Sequence, residues 1–171
     1  TGAGSGMGQS LAVLLARAGC HVAISDLNAD GLEETRALLD PAVNVSVHVV
    51  DVANREQVEA FAASANTEHS KINMIFNNAG VSVTGLAEQM PYEDIEWLMS
   101  INFWGVVYGC KSFLPYLREA DEAAIINTSS IFGTIAVPSQ SAYNASKFAV
   151  KGYTYALRQE LIDSHIGVNC V

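Results

Sequence analysis

Apolar residues recur along this chain in two alternating rhythms. After a glycine-rich opening, Leu11, Leu14, Leu15 and Ala18 keep the i, i+3, i+4, i+7 spacing of an amphipathic helix, and Gly19 supplies a stop, so a first helix should run to about Ala18. His21 to Ser25 is a short apolar run ending at Asp26, and Leu32, Thr35, Leu38 and Leu39 then restore helical spacing until Asp40-Pro41 breaks it. Val43, Val45, Val47 and Val49 alternate with Asn44, Ser46, His48 and Val50, a period of two that predicts a strand ending at Asp51. Val58, Phe61, Ala62 and Ala65 form the next helical face, and Ile72 to Phe76 a further buried-strand run closed by Asn77-Asn78-Ala79-Gly80. Ile95, Leu98, Met99, Asn102, Val106, Cys110 and Phe113 trace a long helix, which Pro115 should disturb. Ala123 to Asn127 reads as a strand, Thr128 to Ser141 as a polar loop, Tyr143 to Ile162 as a helix and Val168 onward as a last strand.

Strands alternating with helices imply right-handed crossovers and a doubly wound, Rossmann-like parallel sheet flanked by helices on both faces, an α/β fold. With 171 residues, half of them hydrophobic, and only 16% charged, residues 1–171 form one domain with a real core. The chain begins without Met at a glycine turn and stops inside an apparent strand, so it reads as part of a longer protein. A formal charge of -9 disfavours nucleic acid and anionic lipid surfaces as partners. No apolar run approaches a membrane span, and a cytoplasmic location is expected. Cys20, Cys110 and Cys170 suit reduced, packed thiols, and His21, His48, His69 and His165 are scattered without ligand spacing, so no metal is expected.

A doubly wound sheet binds ligands beyond the C-terminal ends of its strands. Thr1-Gly2-Ala3-Gly4-Ser5-Gly6-Met7-Gly8 sits at the first such turn, where glycines let backbone N–H groups approach a pyrophosphate and the helix opening near Met7 aims its positive end at that anion. Strict GxGxxG spacing is absent; the pattern is TGxxxGxG. Asp26, eighteen residues after Gly8, can accept hydrogen bonds from the adenosine ribose hydroxyls and would repel a 2′-phosphate, while Ser5 and Leu27 offer that phosphate no positive charge. NAD is therefore expected over NADP; the competing role for Asp26 is a helix N-cap. Asp51 and the Asn77–Gly80 turn fall at the same edge of the sheet, where small and amide side chains can reach adenine and pin neighbouring strands.

Tyr143-Asn144-Ala145-Ser146-Lys147 stacks a phenol and an ammonium one helical turn apart. A free phenol is a poor base at pH 7, and positive charge from a lysine and an oxidised nicotinamide is what would make it a useful one. Ser130 lies thirteen residues earlier, just past a strand end, and strand ends and helix starts share one rim of such a sheet, so its hydroxyl can meet the Tyr143 phenol across a substrate oxygen.

From TGAGSGMG through NNAG and Ser130 to YNASK, in this order and over essentially the whole chain, the sequence resembles the short-chain dehydrogenase/reductase family. The resemblance implies that Tyr143 is the general acid/base, that Lys147 supports it and holds the nicotinamide ribose, that Ser130 polarises the substrate oxygen, and that Asn102 anchors a water in the proton relay. It implies cofactor contacts for Gly2, Ser5, Gly6, Met7 and Gly8, for Asp26 and Leu27, for an adenine-facing pair Asp51 and Val52, and for Asn78, Ala79 and Gly80. It selects Ser130 over the adjacent Ser129 by spacing. It also implies that a first strand and a C-terminal substrate lid of the family lie outside residues 1–171. A homodimer or homotetramer joined through the two long helices is expected, with Trp97, Phe103, Trp104, Tyr153 and Tyr155 as interface aromatics. The expected reaction interconverts a small-molecule secondary alcohol and a carbonyl. The rivals are a sugar epimerase or dehydratase, whose glycine turn differs, and a non-catalytic NAD-sensing or scaffold protein on the same fold. Ile131, Phe132, Val137, Pro138 and Val81 to Gly85 suggest a partly apolar substrate pocket.

Overall fold

A computed structural model describes all of residues 1–171. In chain order the elements are α1 (Gly6–Arg17), β1 (Val22–Asp26), α2 (Ala29–Leu38), β2 (Val45–Val49), α3 (Arg55–His69), β3 (Met74–Asn77), α4 (Tyr92–Met99), a π-helical turn (Ser100–Trp104), α5 (Gly105–Leu117), β4 (Ala123–Asn127), a 3-10 turn (Ile131–Gly133), α6 (Ser141–Glu160) and β5 (Ile166–Cys170). The alternation predicted from the hydrophobic pattern is therefore present, and every strand pair is parallel. No helix is long and apolar enough to cross a membrane.

The register explains which helices lie on which face. Ile75, Ile125 and Val168 are cross-strand partners and point to one side, where they join Val58, Phe61 and Ala65 of α3, Val106, Cys110 and Phe113 of α5, and Val150 and Leu157 of α6 in a single core. Val22 and Ile24 of β1 point the other way, against Ala12 and Ala16 of α1 and Leu32 of α2. Successive strand residues alternate faces, so each strand feeds both layers.

The strands fall into two hydrogen-bonded groups, β1 with β2 and β3 with β4 and β5, and a groove of about 570 Å³ lined by Leu15, Ile24, Met74 and Phe76 among others lies between β1 and β3. Two expectations need correction. The buried stripe of α1 is Gly8, Ala12 and Ala16, whereas Leu14 is exposed; the small residues let the helix axis come close to β1. The second correction concerns the long helix. It is undisturbed at Pro115 and continues to Leu117, because the carbonyl that proline leaves unbonded belongs to Lys111 on the exposed side. The interruption lies instead at Ser100–Trp104, where one turn widens to π geometry.

Below the α3 layer, the hydroxyl of Ser46 lies 2.8 Å from Nε2 of both His48 and His69, with Glu68 3.8 Å from His48 and the His48 ring against Phe61. One hydroxyl carries one proton, so the arrangement suits two neutral rings. Burial holds both imidazoles below their ordinary range, against a smaller opposing pull from Glu68. The folded protein thus refuses protons that the unfolded chain accepts below about pH 6.5, and stability falls as pH drops through that point toward the folded-state values. Thermal melts at pH 7.5 and 5.5 should show a smaller loss of Tm for His69→Gln than for the parent; an equal loss in both would contradict the histidine origin.

Candidate active site

The glycine turn is shaped by what it must approach. Gly2 (φ +68°) and Gly6 (φ +55°) take left-handed backbone that favours glycine. A Cβ on Gly8 would fall 2.0 Å from the Gly2 carbonyl oxygen and 2.8 Å from the Asn78 amide nitrogen, so no side chain fits there. Ser5 caps α1 without a side-chain hydrogen bond, and the first turn carries no acidic residue. The helix therefore presents its free N–H groups and its positive end to the space in front of it. The Thr1 hydroxyl accepts hydrogen bonds from the Asn78 and Ala79 N–H groups, both at 3.0 Å, and so clamps the glycine turn to the turn after β3.

In front of α1 lies a cavity of about 470 Å³. Gly2, Ser5, Gly6, Met7 and Gly8 line one end, Asp26 and Leu27 the next wall, and Asp51 and Val52 the wall beyond. Asn78, Ala79 and Gly80 close it toward α6. Every residue proposed for the cofactor from the glycine turn, from β1, from the segment after β2 and from the Asn77–Gly80 turn thus borders one space. Asp26 is not the N-cap of α2, a role taken by Asn28 through its bond from the Gly31 N–H. Its carboxylate accepts from Gly4 N–H and Asn28 N–H, each at 2.9 Å, and is fixed beside the glycine turn.

Two polar residues of the second cluster, Asn102 and Lys147, meet behind Gly80. A Cβ built there would lie 3.2 Å from Asn102 Oδ1 and 3.5 Å from Lys147 Nζ. Lys147 is almost wholly buried and donates to the Thr128 carbonyl at 2.9 Å, with Nζ 5.7 Å from the centre of the Tyr143 ring. Burial pushes its pKa down to about 8, so at neutral pH the ammonium persists as a desolvated charge under the phenol. Ser130 sits at the start of the 3-10 turn, where its hydroxyl accepts the Phe132 N–H at 3.1 Å. The Phe132 ring in turn stands edge-on to Tyr143, 5.9 Å between centres. Ser129 faces inward and donates to the Lys147 carbonyl at 3.0 Å, which leaves Ser130 as the half-exposed hydroxyl. Asn102 is fully buried: Oδ1 accepts the Val81 N–H, and Nδ2 donates to the Val81 carbonyl and the Ser146 hydroxyl. Both of its side-chain donors are engaged by protein atoms.

The sequence reading missed the π turn that carries Asn102, and it missed Asn144. The Asn144 amide donates to the Phe132 and Ile135 carbonyls at 2.6 and 2.7 Å and accepts the Val137 N–H at 3.1 Å. One side chain, next to Tyr143 in the chain, thereby holds the whole loop after Ser130. An asparagine in the first turn of a helix, just after a long loop without secondary-structure partners, was the available signal, since such loops need partners for their backbone groups.

The sequence profile of the family described as short chain dehydrogenase matches residues 1–171. A Mycobacterium tuberculosis protein named as an oxidoreductase, SadH, is 43% identical over 100% of this chain and 63% of its own length. The 3-ketodihydrosphingosine reductase of Bacteroides thetaiotaomicron is 38% identical over 98% of this chain and 59% of its own. Among solved structures, a short-chain dehydrogenase/reductase from Burkholderia phymatum in complex with NAD superposes with a TM-score of 0.94 at 34% identity, over 99% of this chain and 61% of that one. The chain thus spans about six-tenths of the length of these relatives.

Replacing Asn144 by Ala removes three part-buried hydrogen bonds and should cost about 1–3 kcal/mol of stability. Amide exchange of Phe132–Val137 should accelerate in that variant while α1 keeps its protection. Unchanged protection of the loop would show that other contacts hold it.

Proposed function

The chain belongs to the short-chain dehydrogenase family of oxidoreductases, whose members use NAD or NADP, and from that membership we propose that it interconverts a secondary alcohol and a ketone with NAD, Tyr143 serving as general acid/base. The observation that carries the proposal is that Asn102 Oδ1 and Lys147 Nζ lie beside Gly80, which borders the cavity that begins at the α1 N-terminus, with Lys147 Nζ 5.7 Å from the ring centre of the half-buried Tyr143.

The residues fit the cofactor. The Gly8 contact leaves backbone alone at the α1 N-terminus, as close approach by a pyrophosphate requires. Asp26 offers its carboxylate to a ribose diol and meets a 2′-phosphate with like charge, which supports NAD. Asp51, Val52 and the Asn78–Gly80 turn would flank the adenine side, and Tyr143 and Lys147 the nicotinamide ribose. When bound, the nicotinamide supplies the hydride acceptor or donor. The chain's own residues do the remaining work. Ser130 holds the substrate oxygen, Tyr143 takes or returns its hydroxyl proton, and the Lys147 ammonium stabilises negative charge on the phenol oxygen. Asn102 fixes the turn at Val81, and a water in a proton relay would rest on its remaining acceptor sites.

The same reading takes residues 1–171 as a single catalytic domain of a cytoplasmic homodimer or homotetramer. Trp97, Trp104 and Tyr155 are each about half exposed on α4, the π turn and α6 and would suit an interface between copies, whereas Phe103 and Tyr153 pack edge-on to one another.

The test is turnover of secondary alcohols by the full-length protein with NAD and, separately, NADP. Tyr143→Phe should lower kcat by about 10²–10⁴ with little change in the Kd for NAD. Asp26→Ser should narrow the NAD over NADP preference by about tenfold or more. NAD binding without turnover of any alcohol or ketone, and no effect of Tyr143→Phe, would instead favour an NAD-sensing protein.

A further inference from the structure

The loops beside Tyr143 carry no charge. There is none between Lys71 and Glu88, the stretch that forms β3 and the Val81–Leu86 loop, and none between Glu122 and Lys147, which spans β4, the Ser130 loop and the start of α6. The polar side chains of the two loops are tied to protein. Gln140 donates to the Thr84 hydroxyl at 2.7 Å and accepts from Ser82 at 3.3 Å, the Gly85 N–H donates to the Ser139 carbonyl, and the Ser139 hydroxyl bonds the Pro138 carbonyl. Thr134 accepts from Lys151, which holds the nearest surface cation on the flank of the loop. Asn144 is wholly engaged, as described above.

What the loops leave uncovered is aliphatic. The Ile135 N–H bonds the Ile131 carbonyl at 3.0 Å, which draws the backbone of the two isoleucines together in the loop after Ser130. They are 67% and 49% exposed, respectively. On the facing loop Leu86 is 51% exposed, and Val81 and Val83 pack with Tyr143 around Met90 and Leu98. The two loops are joined to each other by the Gln140–Thr84 and Gly85–Ser139 bonds and meet Tyr143 through Val81, Val83 and Phe132, so their exposed aliphatic side chains offer an apolar surface to a ligand at that residue.

Resting on the alcohol dehydrogenase reading above, we propose that the substrate is an uncharged secondary alcohol or ketone with an alkyl arm, which lies along Ile131, Ile135 and Leu86 while its oxygen meets Ser130 and Tyr143. A carboxylate or phosphate on that arm would be desolvated against a wall that offers it no partner. Methylenes on the arm would each gain burial instead.

The experiment uses the full-length protein with NAD. Along 2-butanol, 2-hexanol and 2-octanol, kcat/KM should rise by about three- to fourfold per methylene, and 3-hydroxybutyrate should be at least about 100-fold poorer than 4-methyl-2-pentanol, which matches its shape without the charge. The Kd of the corresponding 2-alkanones for the NAD-loaded protein, measured by calorimetry, should fall along the same series. In Ile131→Ser/Ile135→Ser both slopes should flatten while the Kd for NAD holds. A flat series, or a carboxylate substrate equal to its alkyl counterpart, overturns the proposal. So does a double variant that alters oligomeric state yet keeps the slope, since the isoleucines would then seat another copy of the chain. If no alcohol turns over, the dehydrogenase reading fails, and the alkanone Kd series still decides whether the wall binds alkyl chains.

Discussion

The site depends on one buried amide. Asn102 reaches Val81 from a widened helical turn and bonds both its N–H and its C=O, then extends to Ser146 on α6. Three segments that are distant in sequence are held by that side chain: the turn after β3 that borders the cavity in front of α1, the α4–α5 helix and the helix bearing Tyr143 and Lys147. Because Asn102 is wholly buried, loss of its amide would leave the backbone groups of Val81 unsatisfied in a low dielectric, a larger penalty than the loss of a surface bond. A second buried amide chain runs parallel to it. Asn77 bonds Asn127, and Asn127 bonds Thr154 of α6, so β3, β4 and α6 are fixed by polar contacts inside an otherwise apolar core.

Upon that frame the electrostatics are simple. The chain carries a net -9, but the two loops beside Tyr143 hold no acidic residue, and the α1 N-terminus has none in its first turn. The positive features, a helix end and the desolvated Lys147, thus stand at opposite ends of the site without being neutralised. Asp26 and Asp51 are the acidic residues among the cavity walls, and the Asp26 carboxylate is fixed beside the glycine turn by the Gly4 and Asn28 N–H groups.

Much of this was legible in the sequence because the relevant constraints are local. TGxxxGxG is readable since Gly8 has no room for a Cβ, and the YxxxK spacing since one helical turn separates the two side chains. The faces of α3 and α5 follow from apolar spacing because both helices are buried along a single stripe. Other features depend on the fold as a whole. The apolar spacing through Met99, Asn102, Val106 and Cys110 is the same with or without a π turn, so the widening is invisible in it, whereas Pro115 signals a break that an exposed carbonyl tolerates. Leu14 looked like core because leucines usually are, yet the close approach of α1 to β1 selected Gly8, Ala12 and Ala16. The choice of Ser130 over Ser129 rested on a spacing, and its physical reason, the inward bond of Ser129 to the Lys147 carbonyl, needed the coordinates.

The central claim is that a hydride passes between a carbinol carbon and the nicotinamide while a protein group handles the proton. Its most direct test is oxidation of an alcohol deuterated at the carbinol carbon, in ordinary water, with mass analysis of the reduced cofactor. The account predicts one deuterium per reduced nicotinamide, and none incorporated when unlabelled alcohol is oxidised in deuterated water. A reduced cofactor without the label, or a label drawn from the solvent, would contradict it.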